Sequence, residues 1–308
     1  MQHVKIPQGK TDTIYSVTET LGDPVKQFAP LFLAHGSSIT HNRIGRPSAS
    51  YVNGSKEHIY IDVENPAIYS MVRNFSTAKN EYTNYIYRVH FPAIPFSLIP
   101  FHFSSGKNVG LLVVVTVDRK NLPVLVTTVH TCGCYIAVVP TSHLPREAFP
   151  DDWEEGPIRI YGESLPPMLD YKEKSDPGIL VHLRPDVHRV MDLELIEKEN
   201  LWTEGVLRKT VLEMARMEEL ERIPIDGSTT SFYHKDGPLS GYVKGSIKIW
   251  ESILFGPLSL DLFVGTDKAY ADPSVYGNPF YTSLKPWNRE SSNMWDFRKF
   301  LEFLGWRL

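Results

Sequence analysis

One short segment of the chain concentrates the residue types that do chemistry. His130, Cys132 and Cys134 lie within the sequence His-Thr-Cys-Gly-Cys-Tyr, and these two cysteines are the only ones in the chain. Imidazole and thiolate groups together are typical ligands of Zn, Fe or Cu ions. On a β-strand, alternate side chains project from the same face, so this spacing predicts that all three share one surface. The segment is therefore our candidate site for a transition metal.

The spacing of the two cysteines also argues against simple chelation. Alternate residues of a flat strand are about 6.6–6.8 Å apart, whereas two sulfur ligands of one tetrahedral Zn ion are about 3.8 Å apart. The strand separation is also at the upper edge of the Cα distances that a disulfide spans, about 4.4–6.8 Å. Gly133 permits a bulge or a positive φ angle that shortens it. Three interpretations stay open: a metal site, a redox-active thiol pair, and a non-catalytic binding or structural domain with buried structural cysteines.

A metal site needs further ligands, and histidines supply the candidates. His90 and His102 flank the proline-rich stretch 91–101 between two predicted strands, so both are expected near strand ends, where sites are often built. With either of them added and one position left open for water or substrate, the site is typical of a metal-dependent enzyme. Three histidines are weaker candidates: His143 in a proline-bounded loop, and His182 and His188 in a predicted hairpin.

Composition and motifs exclude several classes of function. The chain has 308 residues, of which 42% are hydrophobic and 22% charged, as in a folded globular protein. Its net charge is −4, and it lacks the basic excess of nucleic-acid-binding proteins, so no nucleic-acid partner is expected. The sequence contains no Walker A loop, GxGxxG, GxSxG or HExxH motif, so no nucleotide cofactor is predicted. A small-molecule substrate stays unidentified.

The sequence gives few indications of location. Its first ten residues have no apolar core and no cleavage site, so as given they predict no signal peptide and favour the cytoplasm. A leader upstream would instead place the protein in the periplasm or at a membrane. The segment Ile253–Val264 is apolar but interrupted by glycine, proline and aspartate. We interpret it as a core-facing or interfacial loop, with peripheral contact to a membrane surface as the minor alternative.

Alternating and β-branched runs predict the strands. The clearest are His58–Glu64, Tyr85–His90, Val109–Val117 and Val124–Val139. The last two are joined by a polar turn at 118–123, which indicates an antiparallel hairpin buried on both faces. A second hairpin is predicted over Ile179–Asp192. If it turns at Pro185-Asp186, residue 183 pairs with residue 188, and His182 and His188 lie on opposite faces.

Two helices are predicted in the second half of the chain. The first spans Leu195–Ile223, where apolar residues recur at helical spacing before Pro224. The second runs from Met294 to Leu304, with Ser291 or Ser292 as its N-cap and Gly305 as its stop. Residues 224–290 are rich in glycine, proline and aromatic residues and are predicted to be mostly loops.

Together these elements predict an α+β fold. Residues 58–308 are expected to form a single domain with a mainly antiparallel β core, sandwich-like or barrel-like, and peripheral helices. The core is expected at about residues 55–195. Residues 1–57 contain four prolines, five glycines and six serines and are expected to form an irregular arm packed on this domain.

The segment Tyr85–Pro140 also resembles a family of uncharacterised bacterial proteins. In that group a strand ends in an aromatic residue followed by proline, and a later hairpin ends in His-x-Cys-Gly-Cys-Tyr. The sequences IDVENPAIY, FYTSLKPW and GWRL of this chain are similar to that group as well. Some members carry a membrane-anchoring or lipoprotein-like N-terminus, and no activity is assigned to the group. If its members share a site, the resemblance implies that His130, Cys132 and Cys134 belong to it.

Overall fold

The computed structural model describes residues 12–20, 22–99, 101–172, 177–198 and 208–308. Most of its regular structure is β-strand. The strands are β1 Thr13–Val17, β2 Leu31–Ala34, β3 Arg46–Val52, β4 Lys56–Asp62, β5 Ala67–Ser76, β6 Glu81–Ile94, β7 Gly106–Asp118, β8 Pro123–His130, β9 Ala137–Pro140, β10 Ile158–Ile160, β11 Glu163–Leu165, β12 Pro177–Leu183, β13 Val190–Glu197, β14 Arg208–Arg216, β15 Ile223–Ile225 and β16 Ser228–Thr230. The α-helices are α1 Pro24–Gln27, α2 Ile249–Ser259, α3 Pro273–Tyr276 and α4 Phe297–Phe303.

Ten of these strands form one curled sheet that closes halfway into a barrel. Their order is β13-β12-β2-β1-β14-β5-β6-β7-β8-β9. Neighbouring strands are antiparallel except where β12 meets β2 and where β14 lies between β1 and β5. The remaining strands form separate two-stranded ribbons. The predicted α+β class with a mainly antiparallel core is confirmed.

The centre of the sheet is buried on both faces. Val113–Val115 of β7 are fully buried, although their side chains alternate between the two faces. One face packs against aromatic residues of the C-terminal half, among them Phe232 and Phe280. The other face packs against the first part of the curl, where Phe32 of β2 and Val181 of β12 lie. This double burial explains why the central strands are continuous apolar runs.

Both predicted hairpins form, with differences in detail. β7 and β8 are antiparallel and joined at the predicted polar turn. The strand that was predicted to continue to Val139, however, ends at His130. Residues 131–136 form no strand, and the chain rejoins the sheet as β9. In the hairpin of β12 and β13, Leu183 pairs with Val190 and not with residue 188, since a register shift follows His182. The predicted register is therefore wrong.

The helix predicted over Leu195–Ile223 is wrong wherever the structure describes it. Its described residues include the end of β13, strand β14, a 3₁₀ turn at Met217–Glu221 and the first residue of β15. β14 pairs with β1 on one side and β5 on the other, and these neighbours come from distant parts of the chain. Val211, expected in the core stripe of the helix, is 60% exposed.

The N-terminal segment is more regular than the sequence indicates. Residues 1–57 were expected to be an irregular arm, but β1 and β2 are built into the main sheet. β3 pairs along its length with β4. These strands are short, and prolines and glycines lie between them, which is why their periodicity is weak. Residues 1–11 lie outside the described part.

The described part of the C-terminal half holds two α-helices that the sequence did not predict, α2 and the short α3. α2 covers Ile249–Ser259, where loop structure was expected, and it includes most of the apolar segment 253–264. The last helix, α4, is confirmed, but its N-cap is Asp296, whose side chain accepts a hydrogen bond from the Lys299 amide. Gly305 follows the helix with a positive φ of 88°, consistent with its predicted role as a stop.

Candidate functional site

The candidate site is a tight loop that begins where β8 ends. The amide of His130 donates a hydrogen bond to the carbonyl of Cys134, and the amide of Gly133 donates one to the carbonyl of His130. Gly133 has a φ of 90°, and a Cβ atom there would overlap the carbonyl oxygen of Tyr281. Glycine is therefore required both by the backbone conformation and by the contact.

The loop brings the three predicted residues together. Cys132 and Cys134 are joined by a disulfide bond, with their Cα atoms 5.6 Å apart. The turn at Gly133 makes this distance shorter than a flat strand allows. A ring nitrogen of His130 and the two sulfur atoms all lie within 4.8 Å of one another. Cys132 is buried, whereas Cys134 is partly exposed.

His130 is held as a neutral imidazole. Burial, together with the charge of Lys248, lowers the pKa of this side chain to about 3. Its Nε2 donates a hydrogen bond to the carbonyl oxygen of His188 at 3.1 Å. Since a carbonyl can only accept, Nε2 carries the proton, and the lone pair is on Nδ1.

The other candidate histidines lie elsewhere. Among the described residues, the cluster around the disulfide contains neither His90 nor His102. His90 is fully buried in β6, where its Nε2 accepts a hydrogen bond from Nε of Arg88 at 2.9 Å. The ring of His102 lies 3.2 Å from the carbonyl oxygen of Pro95. The structure thus does not bring the predicted extra ligands to the cysteines.

The weaker candidates are also engaged in other contacts. His143 lies against the carbonyl of Pro123. His182 lies between His35 and Glu194 in a hydrogen-bonded row of side chains. This row is at the opposite end of the ten-stranded sheet from β8. Only His188 reaches the site, through its carbonyl group, while its ring stacks on Phe91 with centroids 4.2 Å apart.

Buried charges next to the disulfide loop were not predicted from the sequence. Nζ of Lys268 donates a hydrogen bond to the carbonyl oxygen of Cys132 at 2.7 Å. Burial lowers the pKa of Lys268 to about 8. Nζ of Lys248 lies 3.2 Å from a carboxylate oxygen of Asp267, and both side chains are buried. Asp267 also accepts hydrogen bonds from the Thr131 hydroxyl and the Gly110 amide, which ties the charge pair to the loop.

The buried carboxylates of Asp267 and Glu251 offset the positive charge of the buried Lys248. Burial acts to lower the pKa of Lys248, but the charges of Asp267 and Glu251 outweigh it, so the pKa is raised. Lys248 therefore stays positively charged. No sequence motif marks these residues, because their proximity to the disulfide loop depends on the fold.

A cavity of about 120 Å³ lies over the disulfide. Its walls are mainly apolar, and its only acidic side chain is Glu251. Of the atoms of that carboxylate, Oε1 has no hydrogen-bond partner among the described residues. The lining includes Phe103, Cys132, Cys134, Glu251, Phe255 and Leu284. A disulfide, a buried carboxylate and apolar walls thus share one enclosed space.

A larger cavity of about 970 Å³ lies away from this loop, between β5 and the segment 216–224. Two of its charged side chains form structural contacts: Arg46 pairs with Glu213, and Glu219 accepts a hydrogen bond from the Arg216 amide. None of its lining residues is a cysteine or histidine. Size alone therefore does not identify the site, and we assign the chemistry to the smaller cavity.

No helix among the described residues is long and apolar enough to cross a bilayer. Comparison with known proteins gives no family: no protein-family model, no curated protein and no solved structure matches this chain significantly. The resemblance to the bacterial group therefore stays a prediction, and the function has to be argued from the site itself.

Proposed function

We propose that this protein is a thiol–disulfide redox protein in which the Cys132–Cys134 disulfide is reduced and re-formed. The observation that carries the proposal is the pairing of these cysteines, across a single glycine, beneath a cavity that holds a buried carboxylate. This was the second of the interpretations left open by the sequence. Three features support it.

The first feature is the size of the loop that the disulfide closes. A cross-link stabilises a fold mainly by restricting the unfolded chain, and the effect grows with the number of residues enclosed. A loop of Cys132, Gly133 and Cys134 restricts the unfolded chain very little. A chain of 308 residues also buries enough apolar surface to fold without a cross-link. The disulfide is therefore better explained by chemistry than by stabilisation.

The second feature is the unequal exposure of the two cysteines. Cys134 is partly exposed and Cys132 is buried, and both line the cavity. An attacking thiolate reaches the more exposed sulfur first, so Cys134 is the site of attack and Cys132 is the leaving group.

The third feature is the positive charge beside Cys132. Lys268 donates to the Cys132 carbonyl, and its positive charge favours a thiolate at this residue. Glu251 lines the same cavity as the two cysteines. The leaving thiolate thus has a neighbouring cation.

The reaction balances with an external thiol as the reductant. Its thiolate attacks Sγ of Cys134, the bond between the two cysteines breaks, and the electron pair stays on Sγ of Cys132, which takes up a proton. A second external thiol attacks the mixed disulfide, leaves as an external disulfide, and a second proton goes to Cys134. Two electrons and two protons pass to the protein, and the reverse reaction oxidises a dithiol substrate.

The test is a thiol count followed by trapping. The air-exposed native protein is expected to have no free thiol, and dithiothreitol is expected to release both without unfolding the chain. Cys132→Ser and Cys134→Ser form a matched pair. Cys132→Ser, which keeps the more exposed cysteine, should form a mixed disulfide with oxidised glutathione faster than Cys134→Ser. Two free, unreactive thiols in the native protein, or a disulfide reducible only after unfolding, would contradict the proposal.

Metal binding by the reduced protein is a second candidate function. It is favoured by the neutral His130, whose Nδ1 lone pair is free of the His188 carbonyl, and by the clustering of three ligand atoms within 4.8 Å. Two thiolates and one imidazole with an open fourth position match a known arrangement of catalytic zinc ligands. Elemental analysis after anaerobic reduction tests this: near-stoichiometric Zn, Fe or Cu that is lost in Cys132→Ser supports it, and absence of metal contradicts it.

A further inference from the structure

Helix α2 turns its apolar side chains outward and its charge inward. Glu251, its only charged residue, is buried, and Lys248 just before the helix is buried as well. All exposed residues from the start of α2 to residue 262 are apolar. They are Ile249, Trp250, Ile253, Leu254, Pro257, Leu258, Leu260 and Leu262. A surface helix in contact with water shows the opposite pattern.

A neighbouring loop extends the same surface. The exposed residues of the stretch 96–101 that the structure describes are also apolar: Phe96, Leu98, Ile99 and Phe101. Aromatic contacts attach this loop to the helix, since Trp250 stacks on Phe96 and meets the ring of Phe101 edge-on. We call these two groups of exposed residues together the apolar face.

The apolar face is too large and too exposed to be an ordinary part of a soluble surface. Leu258 is 71% exposed, Leu262 is 78% exposed, and Ile99 is 93% exposed. Single exposed apolar residues are common, but contiguous groups of this kind mark a contact with another apolar phase. Trp287, which is 77% exposed, lies a few residues from Leu284, and Leu284 shares the cavity lining with Phe255 of α2.

The charges around the apolar face indicate what covers it. Lys107 lies at the start of β7, six residues after Phe101, and Lys285 lies between Leu284 and Trp287; both lysines are exposed. The segments 95–107, 249–262 and 281–289 contain two acidic residues. Glu251 is buried, and Asp261 accepts hydrogen bonds from the hydroxyl groups of Tyr242 and Tyr281. Within these three segments the exposed charge is therefore positive, although the whole chain carries −4. The exposed Glu290, directly after the third segment, is paired with Lys299.

We propose that the apolar face inserts into the surface of a phospholipid membrane. An uncharged apolar centre with lysines at its edge is complementary to acyl chains bordered by phosphate groups. Trp250 and Trp287 suit the boundary between them, where indole rings concentrate. α2 has 11 residues, too few to span a bilayer, so the helix lies in the interface. A loop tip as exposed as Ile99 suits insertion into a fluid phase. This inference does not depend on the chemistry of the cysteines.

The test uses flotation of the full chain with vesicles of phosphatidylcholine, alone or with one quarter phosphatidylglycerol. The protein is expected to float with both, and more strongly with the anionic vesicles. The double variant Leu258→Ser, Leu262→Ser should weaken binding by about tenfold or more, because apolar groups that enter the membrane are removed. Val211→Ser, at an exposed apolar position on β14, is the matched control and should bind like the parent.

Lysine variants and a fluorescence measurement test the same proposal independently of the leucine variant. Lys107→Gln with Lys285→Gln should remove most of the preference for anionic vesicles and leave binding to phosphatidylcholine. If a leucine variant fails to fold, quenching of the parent's tryptophan fluorescence by brominated lipid tests insertion without mutation. Failure of the parent to bind either vesicle overturns the proposal. So does a concentration-dependent dimer, measured by light scattering, that is lost in the leucine variant while vesicles do not bind.

Discussion

Strand β7 and helix α2 have similar shares of large apolar residues but place these side chains in opposite environments. Val113–Val115 of β7 are fully buried between two layers. In α2 the leucines and isoleucines are exposed, and Glu251 is buried with Lys248. Burial of apolar surface is the main favourable term in folding. β7 therefore contributes to stability, whereas the exposed side of α2 contributes surface for another contact. The hydrophobicity of a segment does not determine which of its sides faces the interior.

The largest effect is expected at the buried charges beneath α2. Asp267→Ala leaves the buried Lys248 without its partner and should lower the free energy of unfolding by about 3–5 kcal/mol. Urea unfolding at neutral pH measures it. Glu302→Ala, which breaks the exposed pair with Arg298 on α4, is the control and should leave the unfolding curve unchanged. If Asp267→Ala behaves like this control, the buried pair does not support the fold as described.

A matched pair of leucines compares the two regions directly. Leu112→Ala in β7 removes a fully buried side chain and should cost about 2–5 kcal/mol. Leu258→Ala in α2 removes an exposed one and should change stability by less than about 0.5 kcal/mol. Urea unfolding of the two variants side by side measures the contrast. Equal losses would mean that the apolar face is already covered in solution.

The buried His90 of β6 makes the free energy of unfolding depend on pH. Burial holds the pKa of His90 well below its usual 6.5, and the charge of Arg88 lowers it further. The unfolded chain takes up a proton there below about pH 6.5 and the folded chain does not, so stability falls as the pH falls below that value.

His90→Gln tests this linkage, since glutamine keeps an acceptor for Nε of Arg88 but cannot ionise. The loss of stability with falling pH should become shallower by up to about 1.4 kcal/mol per pH unit. Unfolding in urea at a series of pH values from 8 to 4.5 measures it. The two proteins should show parallel curves above pH 7.5, and parallel curves throughout would contradict the prediction.

The central strands and the disulfide loop could be predicted because their signals are local. The β-branched runs in β7 and β8 are continuous, since both faces are buried, and the polar turn between them marks the hairpin. Gly133 between two cysteines indicated the positive φ angle that the structure contains. Proximity of His130, Cys132 and Cys134 followed from their spacing. The spacing did not determine whether the two cysteines are free thiols or joined in a disulfide.

The failures have non-local causes. Arg208–Arg216 matched a helix by its spacing, but β1 and β5 supply partners on both of its edges and fix it as a strand. The apolar residues around Ile253 also repeat at helical spacing, but the glycine and proline among them led to the prediction of a loop instead of α2. Periodicity also does not indicate whether the apolar side of a helix faces the interior or the solvent. Lys268 was missed because its contact with Cys132 joins residues 136 positions apart.

The position of β1 in the sheet has a consequence for the order of folding. β1 lies between β2 and β14, and its partner Arg208 is synthesised nearly two hundred residues after Thr13. At about 5–20 residues per second, one edge of β1 waits for roughly 10–40 s on the ribosome before its parallel neighbour exists. Such long-range parallel pairing folds slowly. The nascent chain therefore needs its early strand edge shielded during synthesis, and slower translation would lengthen its exposure to aggregation.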